Sequence, residues 1–143
     1  MEKRDYLLRQ IEALGRILSR LRELIVGGAT AEAHGQIQQE MRNAGLELSM
    51  ANALDPRTLL MLLSSPTLDV RRAFTVGSLL HMDALRARAD GDATSAARSS
   101  AGALALLSAA RPMLDAERAA LADQILEEIR GTAAGSGAAN QAR

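Results

Sequence analysis

The chain has 143 residues with 17 basic and 17 acidic side chains, so its formal net charge is zero and no global field draws in nucleic acid or an anionic membrane. It holds no Cys and no Trp, with one Tyr and one Phe, which excludes disulfides, thiolate chemistry and base or sugar recognition by stacked aromatics. That length suits one domain with an aliphatic core, and all but one of the basic residues are Arg, a skew read here as genome composition rather than phosphate binding.

The first predicted element is a helix over about residues 3–26. Leu7, Ile11, Leu14, Leu18, Leu21 and Ile25 alternate by four and three, which keeps them on one face. Ile17, Leu24 and Leu8 widen that stripe beyond a two-stranded coiled-coil seam, so the helix is expected to pack against several others. Gly15 either weakens it or admits a close neighbour. Gly27 and Gly28 stop it, and Thr30 is expected to cap a second helix over about 31–44, with Ala33, Ile37, Met41 and Ala44 inward and Gly45 at its end.

Residues 45–54 are compatible with a cap on this hairpin or with a further helical turn. Asp55 and Pro56 then open a short helix to about residue 64, and the apolar run Leu59 to Leu63 predicts that most of its sides are covered. Asp69 caps a fourth long element over about 70–89 with two inward stripes: Ala73, Gly77, Leu80, Ala84 and Ala87, and Val70, Phe74, His81 and Leu85. Such small residues permit short interaxial distances, which makes this helix the expected centre. Asp90-Gly91-Asp92 turns the chain into a helix to about residue 110, with Ala96, Ser100, Ala103 and Leu107 inward and Leu104 beside them. Pro112 interrupts, Asp115 caps a last helix with Leu121, Ile125, Leu126 and Ile129 inward, and Gly131 is its expected stop. One helical domain over 1–130 and a disordered tail over 131–143 follow.

Two segments repeat a pattern. "GATAEA" from Gly28 and "GDATSA" from Gly91 each follow a long helix, with Ala33 and Ala96 five residues beyond the glycine. This resembles the tetratricopeptide repeat, in which a small residue sits where the returning helix comes closest. Ala103 and Leu104 match the repeat's later Ala-Leu, whereas Glu40 and Met41 depart from it in the first copy, and the large aromatics of the repeat are absent. More widely, "RDYLLRQIEALGRIL", "GGATAEA", "GLEL", "TLLMLL", "TLDVRRAFTVGSLL" and "GDATSAARSSAGALALL", in that order, resemble a family of small bacterial proteins classed as a domain of unknown function. Its opening motif is D-Y-I-x-R-x-I-E. Asp5, Tyr6, Arg9, Ile11 and Glu12 match it, and Leu7 stands for the usual Ile. The resemblance implies an all-α protein of about six helices in antiparallel, tetratricopeptide-like hairpins. It implies an interaction role and supplies no catalytic residue.

Asp5, Tyr6, Arg9 and Glu12 are the candidate partner-binding residues. Their other reading is structural: Asp5 with Arg9 and Glu12 with Arg16 are i,i+4 pairs in the favoured order, each worth about 0.2–0.5 kcal/mol. His34 and His81 are the only histidines, and neither belongs to a metal-binding spacing. His81 and Asp83 point about 200° apart on a helix and cannot grip one ion, so His81 reads as a buried residue with one hydrogen bond. Glu127 and Glu128 are expected to face water, and Ser64, Ser65, Ser99 and Ser100 to fill packing or helix-end positions. No phosphate-binding glycine loop is present. The basic residues Arg71, Arg72, Arg86 and Arg88 are interspersed with Asp69, Asp83 and Asp90, the pattern of a mixed solvated face.

The expectation is therefore a non-catalytic, cytoplasmic protein-interaction or scaffold module that takes an unknown protein or peptide, without metal, cofactor, nucleic acid or membrane. Homodimerisation through the first helix or the 59–63 run is a further expectation. The rival readings are a ligand-binding or catalytic bundle organised on His81, and a regulatory nucleic-acid binder.

Overall fold

The computed structural model describes residues 2–141, with side chains over 12–132. Among the described residues the fold is all-α, with seven α-helices: α1 (Glu2–Val26), α2 (Thr30–Asn43), α3 (Leu48–Ala53), α4 (Pro56–Leu62), α5 (Val70–Ala89), α6 (Ala93–Ala110) and α7 (Ala116–Gln141). A 3-10 turn, Arg111–Met113, precedes α7, and a single isolated β-bridge joins Ser64 to Leu68.

Three helices end in the same way, and the reason is local. Gly28, Gly45 and Gly91 have φ of 84°, 82° and 78°, the left-handed region open to glycine. Each lets the chain fold back so that two amides reach the last helical carbonyls: Ala29 N to Leu24 O at 2.8 Å, Leu46 N to Met41 O at 3.0 Å and Asp92 N to Ala87 O at 2.8 Å. Helix starts are equally legible, since the carboxylates of Asp55, Asp69, Asp92 and Asp115 accept from the amides of Thr58, Arg72, Ser95 and Arg118. The α3 helix, with Glu47 at its N-cap, has no side-chain cap, and neither does α2. Ala29 holds its N-cap position, Thr30 is its first helical residue, and no side chain caps it. At its other end Arg72 of α5 takes over, donating from Nε to Ala44 O at 2.7 Å and from Nη2 to Gly45 O at 2.8 Å. A cation at the negative end of a helix satisfies carbonyls that have no partner inside it.

The most intimate pairing is between α5 and α6, joined by the tight turn at Gly91. At their crossing, a Cβ on Gly77 would lie 2.9 Å from Leu107 Cγ and 3.3 Å from Leu106 Cβ. Further along, a Cβ on Gly102 would meet only methyl groups of Leu80 and Leu59, at 3.1 and 3.5 Å. The other helices lean on this pair: α1, α2 and α7 pack on α5, while α3, α4 and α7 pack on α6. As a result α5 is central, with an almost continuous buried surface from Ala73 to Ala84. The core is aliphatic as composition requires, with Phe74 its one aromatic side chain among the described residues, and with Leu21, Ile37, Met41, Leu79, Leu106 and Leu107 also buried in it.

Several positions differ from expectation. For residues 45–54, where a cap and a helical turn are both compatible with the sequence, the structure has the helix α3. The α4 helix is covered on one face only: Leu59 and Leu63 are buried, but Met61 is 68% and Leu62 47% exposed, because α6 is the element it packs on. In α6 the fully buried serine is Ser99 rather than Ser100, and Leu104 is exposed. In α7 Ala122 is buried in preference to Leu121, and the backbone continues helical past Gly131 to Gln141. The side chains of residues 133–143, most of the expected tail, lie outside the described residues.

The close crossing generates a contrast between two substitutions. Gly77→Ala forces a methyl group against Leu107, and overpacking of roughly 1–3 kcal/mol outweighs about 1 kcal/mol of improved helix propensity. Thermal unfolding is expected to fall by about 3 °C. Gly15→Ala, where a Cβ would meet nothing within 4 Å, is expected to raise stability by about 0.5–1 kcal/mol. Equal shifts in the two variants would contradict the crossing geometry.

Candidate functional site

Two polar clusters leave α5 on opposite sides. The first centres on Asp83, whose side chain is fully buried. Its Oδ2 accepts from Ser99 Oγ of α6 at 2.7 Å and from Asn52 Nδ2 of α3 at 3.2 Å, and its Oδ1 accepts from Arg86 Nε at 3.0 Å. Arg86 continues to Asp90 through Nη1 at 2.8 Å. His34 of α2 brings Nδ1 to 4.0 Å from Asp83 Oδ1, and that nitrogen has no hydrogen-bond partner. A carboxylate withdrawn from water needs such donors, and here three different side chains supply them. The row Ser99, Asp83, His34 contains the three residue types of a hydrolytic triad in the wrong order. A triad needs the imidazole between hydroxyl and carboxylate, whereas here the carboxylate lies between and holds the serine proton.

The second cluster centres on His81, 2% exposed. Its Nε2 lies 2.7 Å from Glu128 Oε2 of α7, and the same oxygen accepts from Arg22 Nη2 of α1 at 3.1 Å. With Glu128 ionised, Nε2 carries the proton and donates, which leaves Nδ1 as a buried acceptor without a donor. Burial pushes His81 below its ordinary value of 6.5, with Glu128 opposing and Arg22 and Arg88 adding to the drop. For Glu128 burial acts upward, but the bonds from His81 and Arg22 outweigh it and hold the carboxyl below its ordinary 4.5.

Of the sequence-derived candidates, Glu12 is exposed on α1 and borders a shallow surface with Gly15, Arg16, Ser19, Arg20 and Glu23. Among the described residues Glu12 and Arg16 form no ion pair, and Arg20 instead approaches Glu32 at 3.7 Å. The side chains of Asp5, Tyr6 and Arg9 lie outside the described residues. His81 has the single hydrogen bond expected of it, to a carboxylate 47 residues away. Glu127 and Glu128 are both exposed as expected, and Glu128 also reaches α5 and α1, since neighbouring helical positions diverge by about 100°. Asp83, expected on a mixed solvated face, is instead fully buried. The spacing of Val76, Leu79 and Asp83 by three and four places it on a third buried stripe of α5, and that signal was available.

A groove of about 290 Å³ runs between α6 and α7 near the end of α5. Ala97, Ala101, Leu104 and Ile129 form its floor, with Ser100, Thr132 and Arg88 around them. Among the described residues no group of three or more His, Cys, Asp or Glu side chains is arranged to hold a metal ion, and no helix is long and apolar enough to cross a membrane.

No protein-family model matches the chain, and neither a curated protein nor a solved structure matches it.

The Asp83 cluster sets two expectations. Asp83→Ala leaves Ser99 and Asn52 without their buried acceptor and is expected to cost about 3 kcal/mol of unfolding free energy, while Ser99→Ala costs about 1–2 kcal/mol. Urea unfolding measures both, and a loss under 1 kcal/mol for Asp83→Ala would show that the cluster is not buried as described. The His81 cluster sets a pH dependence. Both folded values lie below the unfolded ones, so the unfolded chain binds protons first. The contribution of neutral His81 is complete above 6.5 and is lost as pH falls through its folded value; that of Glu128 is complete above 4.5 and is lost lower still. Stability is therefore expected to decline on acidification beginning near 6.5, with the first part of the decline absent in His81→Gln.

Proposed function

We propose that this chain is a non-catalytic protein-interaction module of tetratricopeptide-like hairpins, cytoplasmic, which receives an amphipathic helix or peptide of a protein partner along the α6–α7 groove. The observation that carries this reading is the groove's floor. Ala97 and Ala101 are short and exposed, Leu104 is 39% exposed, and Ile129 closes the far side. Short side chains admit a partner backbone closely, and Leu104 offers an apolar anchor. Arg88 at the rim favours an acidic residue on the partner, a feature that governs orientation and specificity more than affinity.

The fate of the polar residues supports the same reading. Asp83, Ser99, Asn52 and Arg86 spend their hydrogen bonds on one another, and Glu128 spends its own on His81 and Arg22. Arg72 and Arg86 of α5 are likewise engaged with carbonyls and carboxylates of the protein itself. The exposed Met61 and Leu62 on α4 favour a second mode, association with another copy of the chain. Asp5, Tyr6, Arg9 and Glu12 remain proposed contacts for a partner at the other end of α1.

A photoreactive amino acid at Ala101 is expected to cross-link a protein in the native host, and Leu104→Asp is expected to abolish that product while leaving thermal unfolding unchanged. Cross-linking no stronger than from an equally exposed site at Arg57 would refute the groove. Sedimentation of the purified chain separates the second mode, since self-association on α4 makes the apparent mass depend on concentration and is reversed by Met61→Asp.

A further inference from the structure

The two histidines are treated differently by the fold. Each has a buried Nδ1 without a partner, but the His34 ring is 38% exposed, whereas His81 is enclosed with its other nitrogen bonded to Glu128. The charged groups that face His81 are Glu128 from α7, Arg22 from α1 and Arg88 further along α5. A proton arriving from solvent has one place to go, Nδ1, where it creates a buried N–H with no acceptor and a third cation beside Arg22 and Arg88, against the single carboxylate of Glu128. Relief requires water at Nδ1, so one of the covering helices has to move.

We propose that His81, Glu128 and Arg22 form an acid-sensitive latch that holds α7 against α5 and α1, and that mild acidification releases α7 while the α5–α6 hairpin stays folded.

The choice of α7 follows from how each helix is held. On its described length α7 buries Ala119, Ala122, Ile125, Leu126 and Ile129, two of them only alanines. Among the described elements it comes last, so its departure breaks no connection between the others. By contrast α5 is gripped by α1, α2 and α6 as well, and α1 has further packing on α2. Beyond the latch, the side-chain tie of α7 to the body among the described residues is the exposed pair of Arg111 with Asp123, at 2.7 and 3.0 Å. That pair anchors only the beginning of the helix, near the 3-10 turn, and surface pairs contribute little. The direction in which burial and its neighbours move His81, downward, agrees with the geometry. Release would expose the apolar face of α7 and dismantle the groove that α7 shares with α6. The latch stands whether or not that groove receives a partner.

Hydrogen exchange on the full chain, read as protection factors corrected for intrinsic rates, tests the latch between about pH 7.5 and about pH 5, the window in which imidazoles titrate. Protection over residues 119–132 is expected to fall about tenfold or more across that window, while the α5–α6 amides hold theirs. In His81→Gln the side chain can still donate to Glu128 but takes no proton, and α7 is expected to stay protected across the window. Glu128→Gln, a surface change that keeps an acceptor and removes the counter-charge, is expected to release α7 at a higher pH than the parent chain, and it carries the test if His81→Gln does not fold. Loss of α7 protection only together with that of α5 and α6 would overturn the proposal. So would release at the same pH in the parent chain and in whichever variants fold.

Discussion

The fold depends on one close approach. Where α5 crosses α6, Gly77 lies against Leu107 with no room for a methyl group. Interaxial distance is set by the side chains at the crossing, so this glycine lets the two helices come together closely enough for Leu106 and Leu107 to be fully buried. The remaining helices then occupy the sides of an already compact pair. Because α5 is enclosed in this way, any polar residue on it is carried inside. It must find its partners among side chains rather than in water.

His81 and Asp83 follow from that enclosure. Two residues apart, they leave α5 in nearly opposite directions, one toward α1 and α7, the other toward α2, α3 and α6. Each becomes a tie between elements distant in sequence. Apolar packing is non-directional, whereas a buried carboxylate with three donors holds only in one arrangement, and so it favours one register of the surrounding helices. The ties are unequal in one respect. Both oxygens of Asp83 are bonded, but His81 leaves Nδ1 bare, so protonation at His81 has no compensating bond to form. One side of the central helix is tied through a carboxylate with both oxygens engaged, the other through a single imidazole nitrogen.

Much of this architecture is legible in the residues themselves. Glycines at 28, 45 and 91 and aspartates at 55, 69, 92 and 115 mark helix ends through local chemistry, and local chemistry is what one sequence displays best. The central position of α5 is legible too, because its small and large apolar stripes together surround most of the helix. What spacing does not display is which faces find cover. The run Leu59 to Leu63 looks enclosed, yet one neighbour covers one side and leaves Met61 and Leu62 outside. Ser99 and Ser100 are equally small, and only the path of α5 and α3 past α6 selects Ser99 for the interior. Glu128 illustrates the sharper limit: its partners lie 47 and 106 residues away, and no periodicity within α7 points to either.

The site at which interaction is proposed and the conditional tie share a helix, and even a turn. Glu128 reaches back to His81 and Arg22, while its neighbour Ile129 turns to the groove with Thr132. An occupant of that groove touches α6 and α7 together, so its binding free energy exists only while α7 is docked. Reciprocity then links the two events: whatever the occupant contributes to holding α7 must be overcome by protons at His81, and whatever protons contribute to releasing α7 must be subtracted from the occupant's affinity. The magnitude is bounded by the smaller of the two effects, since a ligand shifts an equilibrium only by its differential affinity for the two states. A groove built on α5 and α6 alone would carry no such coupling, because both of its walls belong to the hairpin that the Gly77 crossing locks together.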